Sequence, residues 1–314
     1  MVVKELGEAL AFSPGHITGF FEICDNSMDL IHKGSCGAGI CINQGVITKV
    51  KVRPFAQNTV KIRINGKTIN SAKVSKEVVN LFLANPYFSN KERVGGFKIS
   101  VEHEVNIPIG CGLGASGAGA LSLALALNKA LGDILFSSEA AQIAHIAELK
   151  CGTGLGTVLA QTKGGLEIRR KPGAPGLGEV ESIPLTAEYR VIVVVLGEIH
   201  TEQMLKDSKI RAKINEHGSR ALNQFLKQPG IKPFMEISRN FAEAIGLISP
   251  PIRKIFDATD KSGFLCSQAM FGKTVFSIVE KSKTRKLIEI FRQCVPNPQL
   301  IINVKIDNEG ARLL

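Results

Sequence analysis

The spacing of apolar and polar positions changes character partway along the chain. In the first hundred residues it alternates. Gly37 to Val52 is rich in β-branched residues at period two, and Thr59 to Ile64 and Phe97 to Glu104 repeat the pattern, so three strands are expected there. The period then lengthens. Ser116 to Leu131 is rich in Ala and Leu and is followed by Gly132, which predicts a helix closed by a glycine. A second helix is expected from Ser137 or Ser138, where Ser-Ser-Glu supplies a cap and an acidic first turn, to about Lys150.

The clearest interruption is Lys171 to Gly178, dense in Pro and Gly. Beyond it the pattern predicts a buried strand over Tyr189 to Leu196 and a long polar helix from about Thr201 to Leu226. Helices are expected at Pro233 to Gly246 and Pro251 to Thr259. Strand, helix and strand then follow at Thr274 to Val279, Thr284 to Cys294 and Leu300 to Ile306. The expectation is an α+β protein of two lobes, 1–175 and 176–314. No solenoid-type repeat is present.

Composition narrows the class. The 314 residues have an ordinary globular mixture with no low-complexity tract, so long disorder is not expected. The longest apolar runs, Val191 to Leu196 and Leu123 to Leu127, fall far short of the ~20 residues of a membrane span. Met1 to Phe12 lacks the apolar stretch of a secretory signal, and a cytoplasmic protein is expected. Seven cysteines form no C-x-x-C pair, which argues for reduced, buried thiols over a zinc ribbon or disulfide scaffold. The sequence leaves a homodimer open.

A net charge of +11 suits either nucleic acid or an anionic small molecule. The basic residues are dispersed in ones and twos, and two Tyr and no Trp leave little to stack bases on. Phosphate-bearing metabolites fit better. A non-catalytic RNA binder is the alternative, and a merely solvated basic surface is the plainest reading.

The most informative segment runs from Pro108 to Leu121, Pro-Ile-Gly-Cys-Gly-Leu-Gly-Ala-Ser-Gly-Ala-Gly-Ala-Leu. Glycines at 110, 112, 114 and 117 permit tight turns and close backbone approach, and the loop opens directly into the expected helix. Free amides and the positive helix end then point at one place, an arrangement that binds phosphate. Gly110, Gly112, Leu113, Gly114, Ala115, Ser116 and Gly117 are the nucleotide-binding candidates, with the Ser116 hydroxyl placed to reach a phosphate-bridging metal. Gly112-x-Gly114-x-x-Gly117 also satisfies a dinucleotide fingerprint, but the preceding strand is charged rather than buried. Gly272-Lys273-Thr274 ends like a P-loop, yet Ser267 stands where the first glycine belongs. Glycines that merely pack helix on sheet are the structural alternative.

Pro-x-x-x-Gly-Leu-Gly-x-Ser before an Ala-rich helix resembles the nucleotide loop of the GHMP small-molecule kinases, with Ala115 in place of the first of two usual serines. Four further segments sharpen the resemblance: Ser13 to Ile23, the glycine turn Gly34 to Gly39, Cys151-Gly-Thr-Gly-Leu-Gly156 with Gly164-Gly165, and Ser267 to Gly272. Together they are similar to the archaeal, coenzyme A pathway branch of that family. The resemblance implies an N-terminal lobe like domain 2 of ribosomal protein S5, a ferredoxin-like C-terminal lobe, and ATP and Mg²⁺ between them. It also implies transfer of the ATP γ-phosphoryl to the 4-hydroxyl of (R)-pantoate, with a homoserine- or mevalonate-type kinase as runner-up.

Glu148 lies three positions after His145 on the second helix, so the two share a face. A carboxylate opposite Ser116 completes a hard-cation site, and the resemblance places the Mg²⁺-binding Glu here. Ser116 and Glu148 are therefore the catalytic and metal candidates. His145 is a candidate to orient the acceptor, although a lone helical His is more often structural. Arg169 offers a guanidinium fork to a carboxylate, and the resemblance puts a substrate-binding Arg there. Arg170 is expected on the opposite strand face, and Ser35 is a substrate contact by resemblance. Many family members carry an Asp after the glycine stretch; here the sequence reads Thr157-Val158-Leu159, and the base is unassigned.

Overall fold

The computed structural model describes residues 7–87, 95–198, 204, 207–295 and 301–314. Strand β1 (Glu8–Cys24) pairs along its whole length with β2 (Gly34–Phe55) in an antiparallel hairpin. The alternation read from the sequence began at Gly37 because Pro14, Gly15 and Gly19 interrupt the pattern of β1. The strand absorbs them as register shifts between Pro14 and Gly15 and between Thr18 and Phe20. Such bulges re-aim the side chains between them. Those side chains include His16 and Thr18.

Strands β3 (Thr59–Ile64), β4 (Lys67–Thr68) and β5 (Gly96–Val105) extend the sheet past β2, with β3 parallel to β5. Strand β6 (Leu166–Lys171) pairs the other half of β2, and β7 (Glu179–Ile183) pairs β6. The last strand, β12 (Arg312–Leu313), returns to β1, completing an eight-stranded sheet. The second sheet holds β8 (Tyr189–Gly197), β9 (Ser267–Gln268), β10 (Lys273–Glu280) and β11 (Ile301–Val304) in the antiparallel order β11-β8-β10-β9. Hydrogen bonding passes from one sheet to the other between Ile183 and Tyr189, beyond the Pro-Gly segment.

Helices α1 (Lys73–Ala84), α2 (Ala115–Ala130) and α3 (Ser137–Cys151) bury Val78, Phe82, Leu121, Leu127 and Ala144 against Val50, Ile99 and Val101 of the first sheet. Neither α1 nor the short α4 (Thr157–Lys163) was expected from the sequence. Their N-cap residues, Ala72 and Gly156, make no side-chain cap, so both helices lack the usual start signal. No serine side chain caps α3 either; Glu139 instead accepts a hydrogen bond from the Phe136 amide at 2.7 Å. The long polar helix is observed over Ser208–Phe225. Residues 201–203, 205, 206 and 300 of the expected elements lie outside the described residues.

The run Val191 to Leu196 reads as continuously apolar because β8 is covered on both faces. Val191, Val193 and Val195 join Ile17, Phe20 and Ile40 of the first sheet in one core, together with the helices Ser208–Phe225 and Ile231–Ile245. Ile192 and Val194 face the helices Pro250–Lys261 and Thr284–Cys294. Phe20 touches Phe225 and Phe234 with centroids 5.6 and 6.0 Å apart, and Phe234 touches Phe276 at 6.1 Å. The two lobes therefore share a hydrophobic core.

The helix Ser208–Phe225 crosses β1 at Gly218, where a Cβ would stand 2.0 Å from the Phe21 carbonyl oxygen. Backbone on backbone leaves nothing to yield. Gly218→Ala is expected to destabilise the protein by about 1–3 kcal/mol through overpacking, read as a lower thermal midpoint by circular dichroism.

Candidate active site

The glycine loop enters α2 through three left-handed residues, Gly110, Gly112 and Gly114, with φ of 75°, 77° and 70°. A side chain at any of them would strain the turn. The loop is pinned from several sides through its carbonyls. The Thr274 hydroxyl donates to the Cys111 carbonyl at 2.6 Å and the His16 amide to that of Leu113 at 2.9 Å. Gln161 Nε2 donates to the carbonyls of Gly114 at 3.0 Å and Pro14 at 2.8 Å. Gly272 presses so closely that its Cβ would lie 2.1 Å from the Cys111 oxygen. The N-cap of α2, Gly114, supplies no side-chain acceptor. The first-turn amides thus open uncapped onto the cavity that the loop borders.

Ser116, in the first turn of α2, hydrogen-bonds Oε1 of Glu148 on α3. The Thr153 hydroxyl donates to the same carboxylate oxygen at 2.7 Å. Glu148 is 2% exposed, and burial pushes its carboxyl up from the ordinary range against the lowering pull of the Ser116 and Thr153 hydroxyls. Gly154 is required beside it, because a Cβ there would come within 2.4 Å of Oε2. The two oxygens expected to share a cation are therefore in contact. Three hard oxygen donors, one of them a carboxylate without a cationic partner, suit a Mg²⁺ ion that also takes ligands from phosphate. No cluster of three or more His, Cys, Asp or Glu forms a metal cage among the described residues.

Across the cavity, β6 presents Arg169. It is 1% exposed, and its Nε and Nη2 have no hydrogen-bond partner among the described residues; Nη2 stands 3.6 Å from Glu167 Oε1. Ser35 and Arg169 converge on Gly156, where a Cβ would fall 2.1 Å from the Ser35 hydroxyl and 3.3 Å from Arg169 Nη1. Arg170 points outward and pairs with exposed Glu181 at 2.8 Å, as the strand alternation predicts. His145 does not border the cavity. Its Nε2 donates to the Lys33 carbonyl at 3.0 Å, two residues before Ser35, and burial lowers its pKa.

The cavity is lined by both lobes. Three features of it escaped the sequence reading. His16 and Thr18 come from β1, whose strand character the glycines concealed. Phe21, Met270 and Phe271 form an apolar wall, with the two rings edge to face at 5.4 Å. Glu167, fully buried, accepts a 2.9 Å hydrogen bond from His16 Nε2. The period-two relation of Glu167 to Arg169 was the available signal, since it puts both on one strand face.

An uncapped helix behind a pinned glycine loop, a serine and glutamate sharing one locus, and a buried arginine opposite define a small-molecule kinase of the GHMP class. The family model "GHMP kinases N terminal domain" matches residues 75–165. The pantoate kinase of Methanocaldococcus jannaschii is 36% identical over 90% of this chain and 96% of its own. That of Thermococcus kodakarensis is 34% identical over 88% and 89%. A solved structure described as a phosphotransferase related to the CoA biosynthesis pathway superposes with a TM-score of 0.82 at 30% identity, covering 98% of both chains. The chain belongs to the pantoate kinase family and has the two-lobe GHMP kinase fold.

Glu148→Gln replaces a desolvated charge by an isostere that keeps its hydroxyl partners. It is expected to leave the unfolding free energy within about 1 kcal/mol of wild type at neutral pH or to raise it, as denaturant titration will read.

Proposed function

We propose that the protein transfers the γ-phosphoryl group of ATP to the 4-hydroxyl of (R)-pantoate. The observation that carries this reading is Arg169, a buried guanidinium with unbonded N–H groups on the wall opposite the glycine loop. Such donors call for an anion that arrives with the substrate, and a carboxylate takes them bidentately. Ser35 stands beside it for a second contact. His145 acts from behind, holding the Lys33 carbonyl and with it the start of the strand that carries Ser35. Phe21, Met270 and Phe271 face the dimethyl carbon of pantoate, a group homoserine lacks.

On the nucleotide side, the residues from Gly110 to Gly117 seat the triphosphate on amides and on the positive end of α2. Ser116 and Glu148 would hold a Mg²⁺ ion, with Thr153 fixing the carboxylate. That ion supplies charge neutralisation across the phosphates, which is the larger need in phosphoryl transfer. The chain's own task is to bring an acceptor oxygen in line with the terminal phosphate and to exclude water. Lys49, Lys51 and Arg63 are engaged by Glu8 and Glu102, so part of the basic surface is taken up in local pairs. Among the described residues no helix is long and apolar enough to cross a membrane.

Incubation with Mg-ATP and pantoate, homoserine, mevalonate or shikimate in turn, following ADP release, tests the assignment. Turnover with pantoate is expected; turnover with another acid and none with pantoate overturns it. Ser116→Ala is expected to lower kcat by about 10²–10³-fold. Arg169→Gln should raise KM for pantoate by roughly 10–100-fold with KM for ATP unchanged. Arg170→Gln should match wild type in both constants.

A further inference from the structure

A buried histidine of the cavity wall meets a buried glutamate behind it, and the roles assigned above use neither. His16 lies between the two bulges of β1, opposite Cys41 of β2, while Glu167 sits on β6 at the far side of β2. They reach each other across the intervening strand because Gly39 has no side chain. A Cβ at Gly39 would lie 2.3 Å from His16 Nε2. The glycine is thus the opening through which the imidazole passes, and Glu167 is the acceptor that fixes its tautomer. With Nε2–H donated to Oε1 at 2.9 Å, Nδ1 carries the lone pair. Among the described residues Nδ1 has one hydrogen-bond partner, the Thr18 hydroxyl at a long 3.4 Å, and both residues line the cavity.

The sequence offers no carboxylate at Thr157 to Leu159, and Glu148 is committed to the Ser116 and Thr153 hydroxyls. We propose that His16, oriented by Glu167 through the gap at Gly39, is the general base that takes the proton of the acceptor hydroxyl. The step rests on the kinase reading above. The acceptor O–H bond breaks as its oxygen bonds the γ-phosphorus, and the bond from that phosphorus to the β,γ-bridging oxygen opens to leave ADP. The proton resides on Nδ1 and returns to water after product release. The imidazolium formed is compensated by Glu167, as a carboxylate orients and stabilises the histidine in hydrolytic triads.

The charges acting on His16 come from β6: Glu167 favours the protonated ring and Arg169 opposes it. Burial is the largest influence and lowers the pKa, so the ring is neutral at physiological pH and ready to accept. From β2, Cys41 faces it as a thiol held neutral by burial. The glycine loop bonds its amide through uncharged Leu113, and α4 reaches β1 at Pro14 through uncharged Gln161. A substrate carboxylate on Arg169 neutralises the one cation that opposes protonation, so acid binding prepares the base. Steady-state rates should therefore fall toward acid pH as the imidazole becomes charged, with the limb in kcat at higher pH than the limb in kcat/KM.

The test is kcat and KM for pantoate and ATP from about pH 5 to about pH 9, for wild type, His16→Gln and Glu167→Gln. His16→Gln is expected to lower kcat by about 10²–10⁴-fold, to leave KM for ATP little changed and to abolish the acid limb. Glu167→Gln should keep measurable turnover with its limb displaced to lower pH, a shift that a merely structural contact does not produce. An acid limb persisting in His16→Gln, a kcat within tenfold of wild type, or an unmoved limb in Glu167→Gln overturns the proposal. If His16→Gln does not fold, the limb position in Glu167→Gln decides alone. Wild type inactive on pantoate at every pH fails the kinase reading instead, and the two failures are distinct.

Discussion

Burying a guanidinium with two unbonded nitrogens is the constraint around which this active site is arranged. Such a group costs several kcal/mol unless something compensates it. Glu167 stands close enough to Arg169 to offset its charge, but too far and at the wrong place to satisfy its donors. In the proposed reaction that surplus is released when the carboxylate of the acceptor docks, so binding energy orders the acceptor instead of tightening a preformed contact. The glycines of β2 and the 152–156 loop make the arrangement possible, since a methyl group at Gly39 or Gly156 would occupy the space that His16, Ser35 or Arg169 needs.

The phosphate side is held by the opposite means. Three of the four carbonyls around the bend at 111–114 are drawn back by a donor from elsewhere: that of Cys111 by Thr274 from the second lobe, that of Leu113 by His16 from β1, and that of Gly114 by Gln161 from α4. The amides are then left for the ligand, preorganised by partners that do not touch it. Because the second lobe supplies both Thr274 and the close approach of Gly272, the loop is correctly shaped only while the lobes are docked. Their common core of Ile17, Phe20, Phe234 and Phe276 keeps them so.

The sequence revealed most of this where a local signal existed. Strands with clean alternation, the Ala-rich helix and the glycine loop were legible to within three residues, and Ser116 meets Glu148, a pairing that the family resemblance implied. What stayed hidden had no local signature. Strand β1 reads as broken because Pro14, Gly15 and Gly19 serve its bulges and close contacts rather than its pairing. Helices α1 and α4 begin without caps. The meeting of His16 with Glu167 joins residues 151 positions apart, and only the sheet order brings them to either side of one glycine. His145 shows the reverse case. Its face on α3 was read correctly, yet the element packed there is the turn before Ser35, so its hydrogen bond goes to backbone.

Charge balance ties the two halves of the cavity together. Arg169 is the one permanently cationic side chain among the described residues lining it. A triphosphate and a carboxylate are both anionic, and Glu148 and Glu167 add two more carboxylates directly behind the lining residues Ser116 and His16. A single guanidinium and a helix terminus, which amounts to about half an elementary charge, cannot offset that sum. A buried carboxylate with hydroxyl partners and no cation of its own is therefore sensible only where a metal ion arrives with the nucleotide. Under the proposed function, the protein keeps its own positive charge for the acceptor, and neutralisation of the phosphates would fall to an ion held by Glu148 and Ser116. Nucleotide and acceptor would then be recognised by different cations, which lets each be bound without competing for the same group.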